Sequence, residues 1–304
     1  MMNAYALRNG IVRVAGCVAG FFCALNAWGQ ADVPRFYTAT SNDALTGAAP
    51  IVKTGAGTLW LTSPSNNTFT GDITVGVDGG TLRIGGNTFY AAGTGRTGTT
   101  LPAMGAASTI TVKRGGIFQI NDNLNGAAGR IDNRLGSEGD RPAVSLEGGT
   151  FYFYGINATQ QTTQSVGQVT LASGTSVINV NRTHATSTPK LIGAGLAVTP
   201  GAYASFVGTT PGAAAANVSQ FYFTTPPSTV GGGGAFGSPT VSIVPATRIG
   251  NDFVAYGLYG IRALLATEYK ATSDINTAGD TENVKFTTGT LSALAGNKTV
   301  NSLA

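Results

Sequence analysis

The chain repeats one phrase, a short apolar strand that runs into a glycine turn and leaves as a second short strand. Ile73-Thr74-Val75 leads to Gly79-Gly80-Thr81-Leu82-Arg83-Ile84, and Ile110-Thr111-Val112 leads to Gly115-Gly116-Ile117-Phe118-Gln119-Ile120. Val144-Ser145-Leu146 leads to Gly148-Gly149-Thr150-Phe151-Tyr152-Phe153. A looser copy is Val169-Thr170-Leu171 followed by Ser173 to Ile178, and Gly57-Thr58-Leu59-Trp60-Leu61 is an earlier half-copy. The marker glycines 57, 80, 116, 149 and 174 are 23, 36, 33 and 25 residues apart. A period of this size marks stacked supersecondary units. Each unit is β, so the expected fold is all-β, a parallel β-solenoid. Such a stack is first a scaffold, and function has to be argued from sites on it.

Within the strands the side chains alternate. Leu59, Leu61, Leu82, Ile84, Phe118, Ile120, Phe151 and Phe153 share one face, and Trp60, Arg83, Gln119 and Tyr152 share the other. Period two with one apolar face is the mark of a half-buried strand. The glycine pairs mark corners that need positive φ or close backbone approach. Residues 32–50 read as an irregular lead-in and 51–304 as the stack. Three stretches, 85–108, 121–142 and 208–240, read as loops off a rigid core. Strand signals return at Thr240 to Val244, Phe253 to Tyr256 and Val284 to Thr287, and Val300 to Leu303 looks like an unfinished strand.

The first 31 residues read as a secretory leader. Arg8 and Arg13 precede an apolar stretch from Val14 to Trp28, too short to span a bilayer, and cleavage is expected after Ala31. Cys17 and Cys23 both lie inside this leader, so the mature chain has no disulfide, no thiol nucleophile and no thiolate metal site. Without Arg8 and Arg13 it carries 16 basic and 14 acidic groups. No Lys/Arg cluster appears, which argues against nucleic acid as a partner. No transmembrane segment is expected in the mature chain.

Lys53-Thr54-Gly55-Ala56-Gly57-Thr58-Leu59-Trp60-Leu61, then Asn67-Thr68-Phe69-Thr70-Gly71 and Gly80-Thr81-Leu82, resembles the autotransporter-associated β-strand repeat. That family reads Lys-x-Gly-x-Gly-Thr-Leu-x-Leu, then Asn-Thr-Tyr-Thr-Gly, then Gly-Thr-Leu. Here Phe69 replaces the usual Tyr. The motif spans Lys53 to Ile84. Looser similarity to the bodies of large secreted proteins with this repeat runs through Asp132 to Leu135, Val144 to Phe153, Val166 to Val180 and Asp252 to Leu264. The resemblance implies a right-handed parallel β-helix, exported to the surface of a Gram-negative-type bacterium or beyond. It implies no catalytic residues and a passenger-like chain that continues past Ala304.

Trp60, Arg83, Gln119 and Tyr152 form the candidate ligand-facing column. Aromatic and Arg side chains stacked at strand spacing can grip sugar rings or another protein. They can equally be neighbours that stabilise the sheet. Asn121, Asp122, Asn123, Asp132, Glu138 and Asp140 could offer oxygens to Ca²⁺, but their spacing matches no EF-hand and lacks the Gly-Gly-x-Gly-x-Asp nonapeptide, and a solvated surface with Asp–Arg pairs explains them as well. His184 is the only histidine and sits in a polar turn without a nucleophile elbow. No cofactor is expected. Partners are expected to be glycans or other surface proteins, with self-association through exposed end rungs. The alternative is a polysaccharide-active enzyme on the same scaffold, with Asp122, Arg130 and Asp132 brought together by a loop that folds back.

Overall fold

The computed structural model describes residues 39–41, 45–61, 67–85, 104–122, 131–136, 139–155, 159, 161–286 and 294–303. The leader, most of the 85–108 stretch, Asn123, Arg130 and Glu138 lie outside these residues. The fold is all-β, and its strands alternate between two large sheets. The first holds Ala39–Ser41, Thr58–Leu61, Thr81–Gly85, Ile117–Asn121, Thr150–Tyr154, Thr175–Asn181, Tyr203–Gly208 and Thr247–Ile249, parallel in that order. The second holds Ile51–Lys53, Ile73–Val75, Thr109–Lys113, Ala143–Glu147, Gln161–Ser173, Thr188–Val198 and Gln220–Phe223, parallel throughout.

Parallel pairing puts equivalent residues of successive repeats on one another. Leu59, Leu82, Phe118, Phe151, Ile178 and Phe206 form one column in the first sheet. Ile51, Ile73, Ile110, Val144 and Val169 form one in the second. These columns are buried, and the two inner faces close on a single core. Phe206 and Phe221 meet across it edge to face, with ring centroids 5.1 Å apart. The gap among the Phe151, Phe206 and Phe221 side chains has a volume of about 10 Å³, room for no ligand.

The looser copy is stacked two residues later than its glycine suggests, because Thr150 pairs with Val177 and not with Thr175. A register shift between Leu146 and Glu147 begins this offset. An even shift keeps every side chain on its face, so Ile178 and Val180 fill the core columns. The 208–240 stretch is not wholly loop. Gln220–Phe223 is a strand, with Phe221 and Phe223 buried. A run of only three aromatics between Asn-Val-Ser and Thr-Thr-Pro-Pro gives little periodicity for a sequence reading to detect.

Two features of the repeat have direct steric and polar causes. Gly80 has φ +60°, and a Cβ there would lie 2.3 Å from the Gly57 carbonyl oxygen of the preceding repeat. Only glycine allows the corners to stack that closely. Lys53 occupies the column continued by Val75 and Val112 and is fully buried. Its Nζ donates to the carbonyls of Thr54 (2.7 Å), Gly55 (2.6 Å) and Gly79 (2.6 Å). The ammonium therefore ties the corner of one repeat to the corner of the next, where an apolar side chain would leave those oxygens bare.

The sequence reading carries the parallel stack on to Ala304, but the parallel order of the first sheet stops at Thr247–Ile249. Asp252–Gly257 and Gly260–Ala263 follow as antiparallel strands. This hairpin covers the end of the second sheet. Tyr256 Oη accepts from the Phe223 amide (2.9 Å) and donates to the Phe223 carbonyl (2.6 Å), and Gly260 lies against the Phe221 carbonyl. Val254 and Ile261 face the main core, while Phe253 and Ala255 face a second cluster of Val241, Ile243, Leu264 and Tyr269. Beyond it, Lys270–Thr272, Asn283–Phe286 and Ser302–Leu303 form a small parallel sheet. Buried Asn283 links it to the hairpin region, donating to the Val241 carbonyl at 2.9 Å.

Lys53→Met leaves three carbonyls without their donor and is expected to lower stability by about 3 kcal/mol in urea denaturation. Gly80→Ala is expected to cost more than about 2 kcal/mol through overpacking and strained φ. Gly296→Ala, where an added Cβ meets nothing within 4 Å, is the neutral reference.

Candidate functional site

Trp60, Arg83, Gln119 and Tyr152 do stand in one column of the first sheet, each paired with the next. Their polar atoms are engaged within the sheet. The Arg83 guanidinium lies 4.8 Å from the centre of the Trp60 ring, and its Nε donates to Gln119 Oε1 at 3.1 Å. Trp60 Nε1 donates to the Gly85 carbonyl (2.6 Å), and Tyr152 Oη accepts from Asn181 Nδ2 (2.8 Å). Tyr152 and Tyr154 meet edge to face. Gln119 is only 7% exposed. Burial lowers the Arg83 pKa and raises that of Tyr152. The column is a ladder of mutual contacts, with Trp60, Arg83 and Tyr152 half-buried.

The carboxylates expected for a metal or for acid–base work are likewise occupied. Asp122 is fully buried and takes Arg134 Nε at 2.6 Å and Gln164 Nε2 at 2.9 Å. Arg134 is also fully buried, and its backbone amide donates to Gln164 Oε1 at 2.8 Å. The guanidinium packs on Gly85 (φ +76°), where a Cβ would lie 2.8 Å from Cζ and Nε. Asp122, Arg134 and Gln164 thus pin the returning segment 131–136 to strands of both sheets. Burial pushes the Asp122 carboxyl up to about 6, against the pull of Arg134. Asp132 Oδ1 accepts from the Thr163 amide (2.8 Å) and Asp140 Oδ1 from the Ala106 amide (3.2 Å). Among the described residues no three His, Cys, Asp or Glu side chains converge on one point. His184 Nδ1 is 2.8 Å from Thr186 Oγ1 within its own turn.

A far larger concavity lies elsewhere, beside the hairpin. It is an open cleft of about 1000 Å³ between residues 208–214, residues 229–242 and the 256–265 segment. Phe236 (67% exposed), Leu258 (83%), Tyr259 (42%) and Leu265 (43%) stand around it. Its one charged lining residue is Arg262, which is buried and neutralised by fully buried Glu268. Arg262 Nη1 and Nη2 donate to Glu268 Oε2 (2.5 Å) and Oε1 (2.7 Å). The same carboxylate accepts from the amides of Leu265 (2.8 Å) and Gly237 (2.9 Å). Burial raises the Glu268 pKa, but these four donors outweigh it and leave the group below its ordinary value. The lining also includes Thr210, a β-branched residue held at φ +39°. Sequence reading missed this cleft because it is assembled from a glycine-rich stretch and a hairpin tip with no shared motif. The cue was there in Phe236, a lone aromatic among glycines.

No family model, curated protein or solved structure matches this chain.

Arg134→Met strands a buried carboxylate and is expected to cost about 3–5 kcal/mol, much of it recovered in the double variant Asp122→Leu/Arg134→Met. The pH dependence has a definite sign. A carboxyl with a raised folded-state pKa takes up its proton more readily folded than unfolded. Its contribution therefore favours the fold at pH below about 4 and is lost as pH rises through about 6. Asp122→Asn is expected to remove that fall between pH 4 and pH 7, read from denaturation midpoints across the range.

Proposed function

We propose that this chain is a right-handed parallel β-helix exported to the bacterial surface, a passenger-like scaffold of the autotransporter-associated repeat class. What carries the reading is that eight fixed positions of the Lys53–Ile84 motif have structural tasks. Lys53 binds three carbonyls, and Leu59, Leu61 and Leu82 fill the core. Asn67 Oδ1 accepts from the Leu45 amide at 2.7 Å, and Phe69 is buried. Gly71 sits where a Cβ would be 2.7 Å from the Ala49 carbonyl oxygen, and Gly80 is excluded from substitution in the same way. A motif absorbed mainly in stacking fits a repeat whose purpose is length and rigidity.

The leader fits export, and a mature chain without cysteine needs no oxidising machinery to fold on the far side. Among the described residues no helix is long and apolar enough to cross a membrane. We read the chain as adhesive and structural, not as a polysaccharide-cleaving enzyme. Asp122 is sealed beneath Arg134 and Gln164, and Asp132 caps the Thr163 amide, so neither is placed to exchange a proton with a polymer. The Trp60–Tyr152 column serves as a stabilising ladder on the scaffold's flank.

N-terminal sequencing of the protein recovered from the cell envelope and medium tests the export step. The expected first residue is Asp32. Protein that stays inside the cell and still begins at Met1 would remove the basis for a surface role.

A further inference from the structure

We infer that the cleft beside the hairpin binds an uncharged sugar unit of a polysaccharide, with Phe236 as its stacking platform. This rests on the reading of the chain as an exported adhesive protein. Two features of the cleft are costly or idle when taken singly. Burying an Arg–Glu pair costs several kcal/mol of desolvation per ion before their attraction returns any of it. A side chain such as Phe236, 67% exposed to water, gains little from burial itself. Yet the two are built together. The Arg262 guanidinium carbon lies over the Phe236 ring, 4.2 Å from its centre. Glu268 grips that guanidinium with both oxygens and is itself held by two backbone amides. The chain of contacts runs from backbone to carboxylate to guanidinium to ring, and it fixes one face of an aromatic ring outward over the cleft. A rigid, water-facing aromatic surface is what a stacking ligand needs and what a core does not.

The rest of the cleft narrows the ligand class. Its one charged lining side chain, Arg262, is matched by Glu268, so no net charge selects an anion or a cation. Tyr259 offers a second half-exposed ring, and Thr210, Thr229 and Ser242 add hydroxyls among glycine backbone. Aromatic surface, hydroxyls and no net charge match a neutral pyranose, which has apolar C–H faces and a hydroxyl rim. The strained backbone of Thr210 belongs to the same lining, and such strain is found at ligand sites more often than elsewhere.

The test is titration of the full chain with neutral gluco-, manno- and galacto-oligosaccharides, beside polygalacturonate and an octyl-chain probe without sugar. A neutral oligosaccharide is expected to bind with an affinity that added salt leaves unchanged. Phe236→Ala is expected to weaken it about tenfold, in line with the loss of one aromatic contact, and Tyr259→Ala by several-fold. Phe236→Trp is expected to retain binding, and Trp60→Ala to leave it unaltered. Neither Phe236 nor Tyr259 belongs to the core, so unchanged melting temperatures are expected to accompany the losses. Sugar binding that survives both cleft variants would overturn the assignment of the cleft and leave the exported scaffold standing. Preference for polygalacturonate with strong salt dependence, or capture of the octyl probe alone, would overturn the neutral-sugar assignment. The N-terminal sequence of the exported protein decides the scaffold reading independently.

Discussion

The whole structure depends on in-register parallel pairing. Once one strand lies parallel on the next without offset, every side chain is stacked on the equivalent side chain of the neighbouring repeat. An apolar residue then finds apolar neighbours above and below, and a charged one finds charge unless the sequence varies down the column. The chain satisfies this rule differently on its two faces. Inside, columns such as Leu59 to Phe206 stay apolar for the whole length of the stack. Outside, Trp60, Arg83, Gln119 and Tyr152 differ from rung to rung, so cation meets ring and guanidinium meets amide.

Stacking also creates the polar problems that the buried ionic groups solve. Corners bring carbonyls of adjacent repeats together in buried or partly buried places. Lys53 solves this at the first full corner by donating all three ammonium hydrogens to them. Where a long excursion returns to the stack, Asp122, Arg134 and Gln164 do the same work with side chains. Arg262 and Glu268 do it around the hairpin. In each case removing one partner leaves a buried group stranded, so these clusters fix one arrangement of the chain as well as stabilising it.

The periodic part of the fold was legible in the sequence, because alternating apolar residues and glycine corners translate directly into columns. The Trp60–Tyr152 column could be read to the residue. The two-residue offset near Gly174 was not, since an even shift leaves the in–out pattern untouched. The strand Gln220–Phe223 escaped because three aromatics give no periodicity. The antiparallel hairpin escaped because Asp252 to Tyr256 has the same alternation whichever direction its partner runs. The cleft was illegible for a different reason. Its ring, guanidinium and carboxylate come from positions 236, 262 and 268, and no local pattern joins them.

The hairpin strand Asp252–Gly257 has one more consequence. Its two faces belong to two different cores, with Val254 on one side and Phe253 and Ala255 on the other. Peeling that strand away would expose both interiors in a single event. The main core and the second cluster therefore share one wall, and neither closes without that strand.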